Sequence, residues 1–131
     1  VLDTPIVAIV DDEDAIREAL DDLVRSCGYE TQLYKSGIDF LAYGRRDCIS
    51  CILLDVNMPG LNGLEVQERM NAEPPKPPVI FFTSHADETL RKSAFLGGAS
   101  AYLTKPADAS SVIDCIEAAT RACEFQHVAE L

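Results

Sequence analysis

The sequence predicts an α/β domain, a parallel sheet with helices packed on both faces. Two observations carry that expectation. Short apolar runs rich in β-branched residues alternate five times with stretches of helical periodicity. One of those runs, Ile49 to Leu54, reads as a continuous apolar strand, as a strand covered from both sides must be. A chain of 131 residues, 47% hydrophobic and 25% charged, is long enough to bury such a core as one domain without disulfides or structural metal.

The first strand is Ile6 to Val10. Behind it Ile16, Ala19, Leu20, Leu23, Val24 and Cys27 fall on one face of a helix, which Gly28 is placed to end. Glu30 to Tyr34 reads as a weaker edge strand and Ser36 to Tyr43 as a short helix with Phe40 and Leu41. After the Ile49–Leu54 strand, Met58-Pro59-Gly60 makes a turn and Leu64 to Met70 a helix. Pro74-Pro75-Lys76-Pro77-Pro78 cannot lie inside a helix; a stiff loop is favoured over a polyproline ligand. Val79 to Phe82 is the fourth strand. Asp87 to Leu96 is a helix closed by Gly97-Gly98, in which Leu90 and Ala94 face the sheet and Leu96 is more exposed than Phe95. Ala101 to Leu103 is a short fifth strand, and Ala109 to Cys123 a last helix with Val112, Ile113, Ile116 and Cys123 inward.

Composition excludes several function classes. A net charge of -11 speaks against contact with a nucleic acid backbone. No apolar run approaches the roughly 20 residues that span a bilayer. Val1 to Pro5 shows no signal peptide, so a cytoplasmic protein is expected; the missing initiator Met suggests a processed chain or a piece of a longer one. Five cysteines, an odd number, suit a reducing compartment. Cys48-Ile49-Ser50-Cys51 has the C-x-x-C spacing but no second ligand pair for zinc, and it precedes a strand rather than a helix. It reads as a loop cysteine followed by a packed one.

In parallel α/β sheets the working site lies at the carboxyl ends of the strands. Those ends carry Asp11, Asp12 and Glu13 after the first strand, Asp55 after the third, Thr83 and Ser84 after the fourth, and Thr104-Lys105-Pro106 after the fifth. Singly, each has a bland explanation: a helix cap, a solvated lysine, a β-branched strand end. Together they place three carboxylates, a hydroxyl and an ammonium group in one mouth. Clustered carboxylates raise at least one pKa unless a hard cation such as Mg²⁺ relieves them. Such a set suits phosphoryl transfer, with a carboxylate as nucleophile.

These residues resemble the response regulator receiver domain of two-component signalling. Asp11-Asp12-Glu13, Leu54-Asp55-Val56-Asn57-Met58-Pro59-Gly60, Thr83-Ser84 and Lys105-Pro106 match that family's pattern in order and spacing, over roughly Ile6 to Cys123. The resemblance implies a three-layer (βα)5, doubly wound, flavodoxin-like sheet of strand order 2-1-3-4-5. It implies that Asp55 accepts a phosphoryl group from a sensor histidine kinase or histidine phosphotransfer protein. It assigns Mg²⁺ to Asp12 and Asp55, to the backbone carbonyl of Asn57 and, through water, to Asp11. Thr83 and Lys105 would bind phosphoryl oxygens, and the Lys105-Pro106 bond would be cis. Thr83 and Tyr102 would act as the switch, with a homodimer or effector reading the face of the fourth helix, fifth strand and fifth helix. His85 either influences loss of the phosphoryl group or is a solvated loop histidine.

A hydrolase with an aspartyl-phosphate intermediate is the rival reading. Such enzymes carry two Asp residues two apart after the first strand and add a cap domain, whereas here Asp11 and Asp12 are adjacent. A nucleotide-binding module would need a glycine-rich loop after the first strand, which the sequence lacks. Phe82-Thr83-Ser84-His85 and Gly97-Gly98-Ala99 lean toward receivers of transcription factors with a helix-turn-helix output. The segment Glu124 to Leu131 is too short for such an output, so the expectation is a stand-alone receiver or one whose effector follows.

Overall fold

The computed structural model describes residues 4–85 and 87–129, those from 122 onward by backbone alone. Among them, β1 (Ile6–Val10), β2 (Glu30–Tyr34), β3 (Cys51–Leu54), β4 (Val79–Thr83) and β5 (Ala101–Thr104) form one parallel sheet in the order β2-β1-β3-β4-β5. The helices between them are α1 (Asp14–Ser26), α2 (Gly37–Tyr43), α3 (Gly63–Ala72), α4 (Glu88–Leu96) and α5 (Ala109–Ala129). A 3-10 turn, Arg46–Cys48, leads into β3.

Alternation along each strand divides the core into two layers. Ala8, Val10, Ile52, Leu54, Val79 and Phe81 meet Phe40, Val66, Met70 and Ala94 from α2, α3 and α4. Val7, Ile9, Cys51, Leu53, Ile80 and Phe82 meet Leu20, Val24, Val112, Ile116 and Ala119 from α1 and α5. Each fully buried aliphatic side chain contributes ~1.5–3 kcal/mol relative to exposure, so shifting one strand by a residue would forfeit both layers at once.

Local chemistry sets the helix starts. Ser36 caps α2 by accepting from the Asp39 N–H at 3.0 Å. Asn62 and Glu65 form a reciprocal capping box on α3. Asp87 accepts from Thr89 and Leu90 at the start of α4.

Several expectations need correction. Cys27 is exposed, because α1 ends at Ser26 and Gly28 turns the chain at φ +94°. Ala19 is exposed as well; α1 buries Leu20 and Val24 and half-buries Ile16 and Leu23. Ile49 is buried but precedes the strand, since the 3-10 turn and Ser50 interrupt the run and β3 begins at Cys51. Leu90 is only half-buried, near the open end of α4, while Ala94 is fully covered. The backbone of α5 runs on to Ala129, no Gly or Pro interrupting residues 124–129. The side chain of Cys123 lies outside the described residues.

Candidate phosphoacceptor site

Sheet register delivers the site. Val10 pairs with Leu54, so Asp11 and Asp55 leave adjacent central strands side by side. The Asp55 N–H donates to the Val10 carbonyl at 3.0 Å, extending the ladder one residue into the site. Thr83 pairs with Thr104, and the Lys105 N–H donates to the Thr83 carbonyl at 2.7 Å, which brings Lys105 in from the far side.

Asp11, Asp12 and Asp55 each offer a carboxylate oxygen, and these oxygens lie within 4.8 Å of one another. Asp11 and Asp55 are buried and Asp12 is exposed at the mouth. Lys105 Nζ stands 2.8 Å from Asp11 Oδ2 and 3.7 Å from Asp55 Oδ2, over the ring of Phe82 at 5.5 Å. Burial pushes the Asp55 carboxyl up to about 6; Lys105 opposes this, Asp11 adds to it, the Asn57 N–H opposes it and Asp12 adds to it. That N–H donates to Asp55 Oδ1 at 3.3 Å. A carboxylate held this far from water, beside two others, is poorly neutralised by one lysine.

The three carboxylates are hard oxygen donors, and they fit Mg²⁺, which prefers a few carboxylates and water. Asp12, exposed and adjacent, keeps the mouth open to solvent and to an incoming group.

Thr83 is fully buried, and its Oγ1 accepts from the His85 N–H at 3.3 Å rather than reaching Asp55. The Tyr102 hydroxyl donates to the His85 carbonyl at 3.0 Å. Burial, with the carboxylates of Asp87 and Asp55, holds that phenol above its ordinary pKa, so it remains a donor. His85 therefore meets both Thr83 and Tyr102 through its backbone, and its side chain is exposed. The Lys105–Pro106 peptide is cis. Cys48 is exposed in the 3-10 turn and Cys51 is buried in β3.

Two contributors escape the sequence reading. Arg17 donates from Nη1 to the Asp11 carbonyl at 2.8 Å and from Nη2 to Asp14, tying the loop that carries Asp11 and Asp12 to α1. A basic residue one turn into the helix behind an acidic loop was its only signal. Gly63 opens α3 directly against the Asp55 backbone, where a Cβ would collide with the Asp55 carbonyl.

Comparison with known proteins gives matches over most of the chain. Residues 7–117 match the family model of the response regulator receiver domain. The response regulator protein TodT of Pseudomonas putida is 34% identical over 116 residues, covering 88% of this chain and 51% of that protein. The transcriptional regulatory protein FixJ of Azorhizobium caulinodans is 38% identical over 112 residues, covering 86% and 53%. The solved response regulator StyR superposes with a TM-score of 0.91 at 33% identity, covering 98% of this chain and 65% of that one. The chain spans about half the length of the curated relatives it matches. Among the described residues, no helix is long and apolar enough to cross a membrane.

Proposed function

Because the chain belongs to the response regulator receiver domains of two-component signalling, we propose that it accepts a phosphoryl group on Asp55 from a histidine kinase or histidine phosphotransfer protein. The observation that carries this reading is Asp55 itself, a buried carboxylate that shares one mouth with Asp11, Asp12 and Lys105.

An Asp55 carboxylate oxygen attacks phosphorus, the P–N bond of the donor phosphohistidine breaks, and its electron pair returns to the imidazole. The product is an acyl phosphate on Asp55. Asp12 and Asp55, the Asn57 carbonyl and, through water, Asp11 would hold Mg²⁺, which neutralises phosphoryl charge when bound. Lys105, on its flexible stem, turns from Asp11 toward a phosphoryl oxygen. Thr83 exchanges the His85 N–H for another phosphoryl oxygen. No base is required, since the nucleophile is already an anion.

Thr83 and Tyr102 both bond to His85, so drawing Thr83 toward the phosphoryl group disturbs the anchor of the Tyr102 hydroxyl. The two states are populations, and a partner selective for one of them reads the signal. That partner contacts the face of α4, β5 and α5, where Leu96 is 89% exposed against 39% for Phe95. A second copy of the chain is one such partner. The regulatory relatives support a reading in which the domain controls transcription through an output domain and makes no nucleic acid contact of its own. The protein works as a cytoplasmic signalling domain, its chemistry limited to its own phosphorylation and slow dephosphorylation.

The test is incubation with acetyl phosphate, with and without Mg²⁺, followed by intact-mass measurement. One phosphoryl group is expected per chain in Mg²⁺, with none in chelator and none in Asp55→Asn. Rapid multiple-turnover hydrolysis of phosphomonoesters would instead favour a hydrolase, a reading the comparisons do not support.

A further inference from the structure

A second site lies at the opposite end of the sheet from Asp55. The last turn of α2, the 3-10 turn before β3 and the last turn of α3 border a half-open pocket of about 230 Å³ lined by Leu41, Arg46, Arg69, Ala72 and Glu73. Arg46, a half-buried residue of that lining, has its Nη1 atom buried without a hydrogen-bond partner. Several other cations have carboxylate partners: Arg17 faces Asp14, Arg25 faces Asp21, Arg91 faces Glu88 and Lys105 faces Asp11. Asp47, the acid nearest Arg46 in sequence, pairs with Arg45 at 3.9 Å. Among the described residues neither Arg46 nor Arg69 has a carboxylate partner. A guanidinium nitrogen withdrawn from water ordinarily has an acceptor, and here the protein supplies none.

We propose that this cavity binds a small aliphatic carboxylate, its head on the guanidinium groups of Arg46 and Arg69 and its chain against Leu41 and Ala72. Planar guanidinium forks match a carboxylate in shape and charge. Glu73 on the lining repels further negative charge, so one anionic head fits better than the nearly double charge of inorganic phosphate. The volume falls below the ~300 Å³ at which drug-sized pockets begin, which limits the ligand to a few heavy atoms. No residue of the phosphoacceptor site takes part, so this inference stands or falls separately from that reading.

The test is titration of the 131-residue chain with isovalerate, and in parallel with inorganic phosphate, followed by backbone amide NMR shifts. Isovalerate is expected to give saturable shifts centred on Ala72, Glu73 and the 3-10 turn, unchanged in Asp55→Asn. Arg46→Ala and Arg69→Ala should each weaken binding about tenfold or more. Arg46→Gln, which keeps a long polar side chain, serves if Arg46→Ala disturbs the fold, and the same spectra report folding. The inference is overturned if isovalerate gives no saturable shift, if its binding ignores both arginine substitutions, or if phosphate binds as tightly.

Discussion

Lys105 Nζ lies closer to Asp11, at 2.8 Å, than to Asp55, at 3.7 Å, so the ammonium group of the site rests on the carboxylate that is not the proposed acceptor. Both ends of the Lys105–Asp11 pair are largely buried, and breaking such a pair from one side costs on the order of 3 kcal/mol. Lys105→Met should therefore lower the melting temperature in chelator. Added Mg²⁺ should raise it more in the variant than in the parent, because the variant has more uncompensated charge to relieve. Equal Mg²⁺ increments in thermal denaturation would count against this.

Asp55→Asn should stabilise the metal-free protein at neutral pH. In the folded chain burial raises the Asp55 pKa from 3.8 to about 6. A raised folded value means that the favourable contribution of this group is complete below its unfolded pKa and is lost as pH rises through about 6. At about 1.4 kcal/mol per pKa unit, the loss is on the order of 3 kcal/mol as an upper figure. Urea midpoints compared between about pH 4 and pH 7 should converge at the acid end and separate at the neutral end, the variant being higher. A constant difference across that range would refute the assignment.

Gly63→Ala should damage the site without touching a charged group. The added Cβ meets the Asp55 carbonyl and the Val56 backbone, neither of which is a flexible side-chain end. Overpacking of this kind costs ~1–3 kcal/mol. Lower stability together with slower phosphorylation is expected, measured by denaturation and by mass. Parent-like values in both would mean that α3 shifts freely.

Arg17→Met should weaken Mg²⁺ binding while leaving every proposed ligand in place. Outer residues that orient metal ligands change affinity about 10-fold or more, and Arg17 holds the Asp11 carbonyl. Arg25→Met removes only the surface pair with Asp21 and serves as the control. The two variants should differ in a Mg²⁺ titration of backbone amide shifts; identical affinities would remove Arg17 from the account.

The sheet and the acidic cluster were legible because each is written in local sequence. Alternation of short apolar runs with helical stripes gave five strands in their observed places, and the polar residues directly after those runs became the site. Periodicity misled where it outlasted its element: Cys27 keeps the α1 spacing, but the chain has already turned at Gly28. Apolarity misled at Ile49, which is buried under the sheet end without belonging to a strand. Contacts between distant segments left no local mark. Gln67 and Asn71 donate to the carbonyls of Ala94 and Gly97, tying α3 to α4, and nothing in either helix alone announces the tie.

The most direct measurement is borohydride trapping of the chain after phosphorylation, since hydride reduces an aspartyl phosphate to homoserine at the residue that carried it. Peptide mass spectrometry should find homoserine at position 55, dependent on Mg²⁺, with Asp11 and Asp12 intact. Homoserine at position 11 or 12, or a phosphorylated chain without homoserine at position 55, would contradict the account.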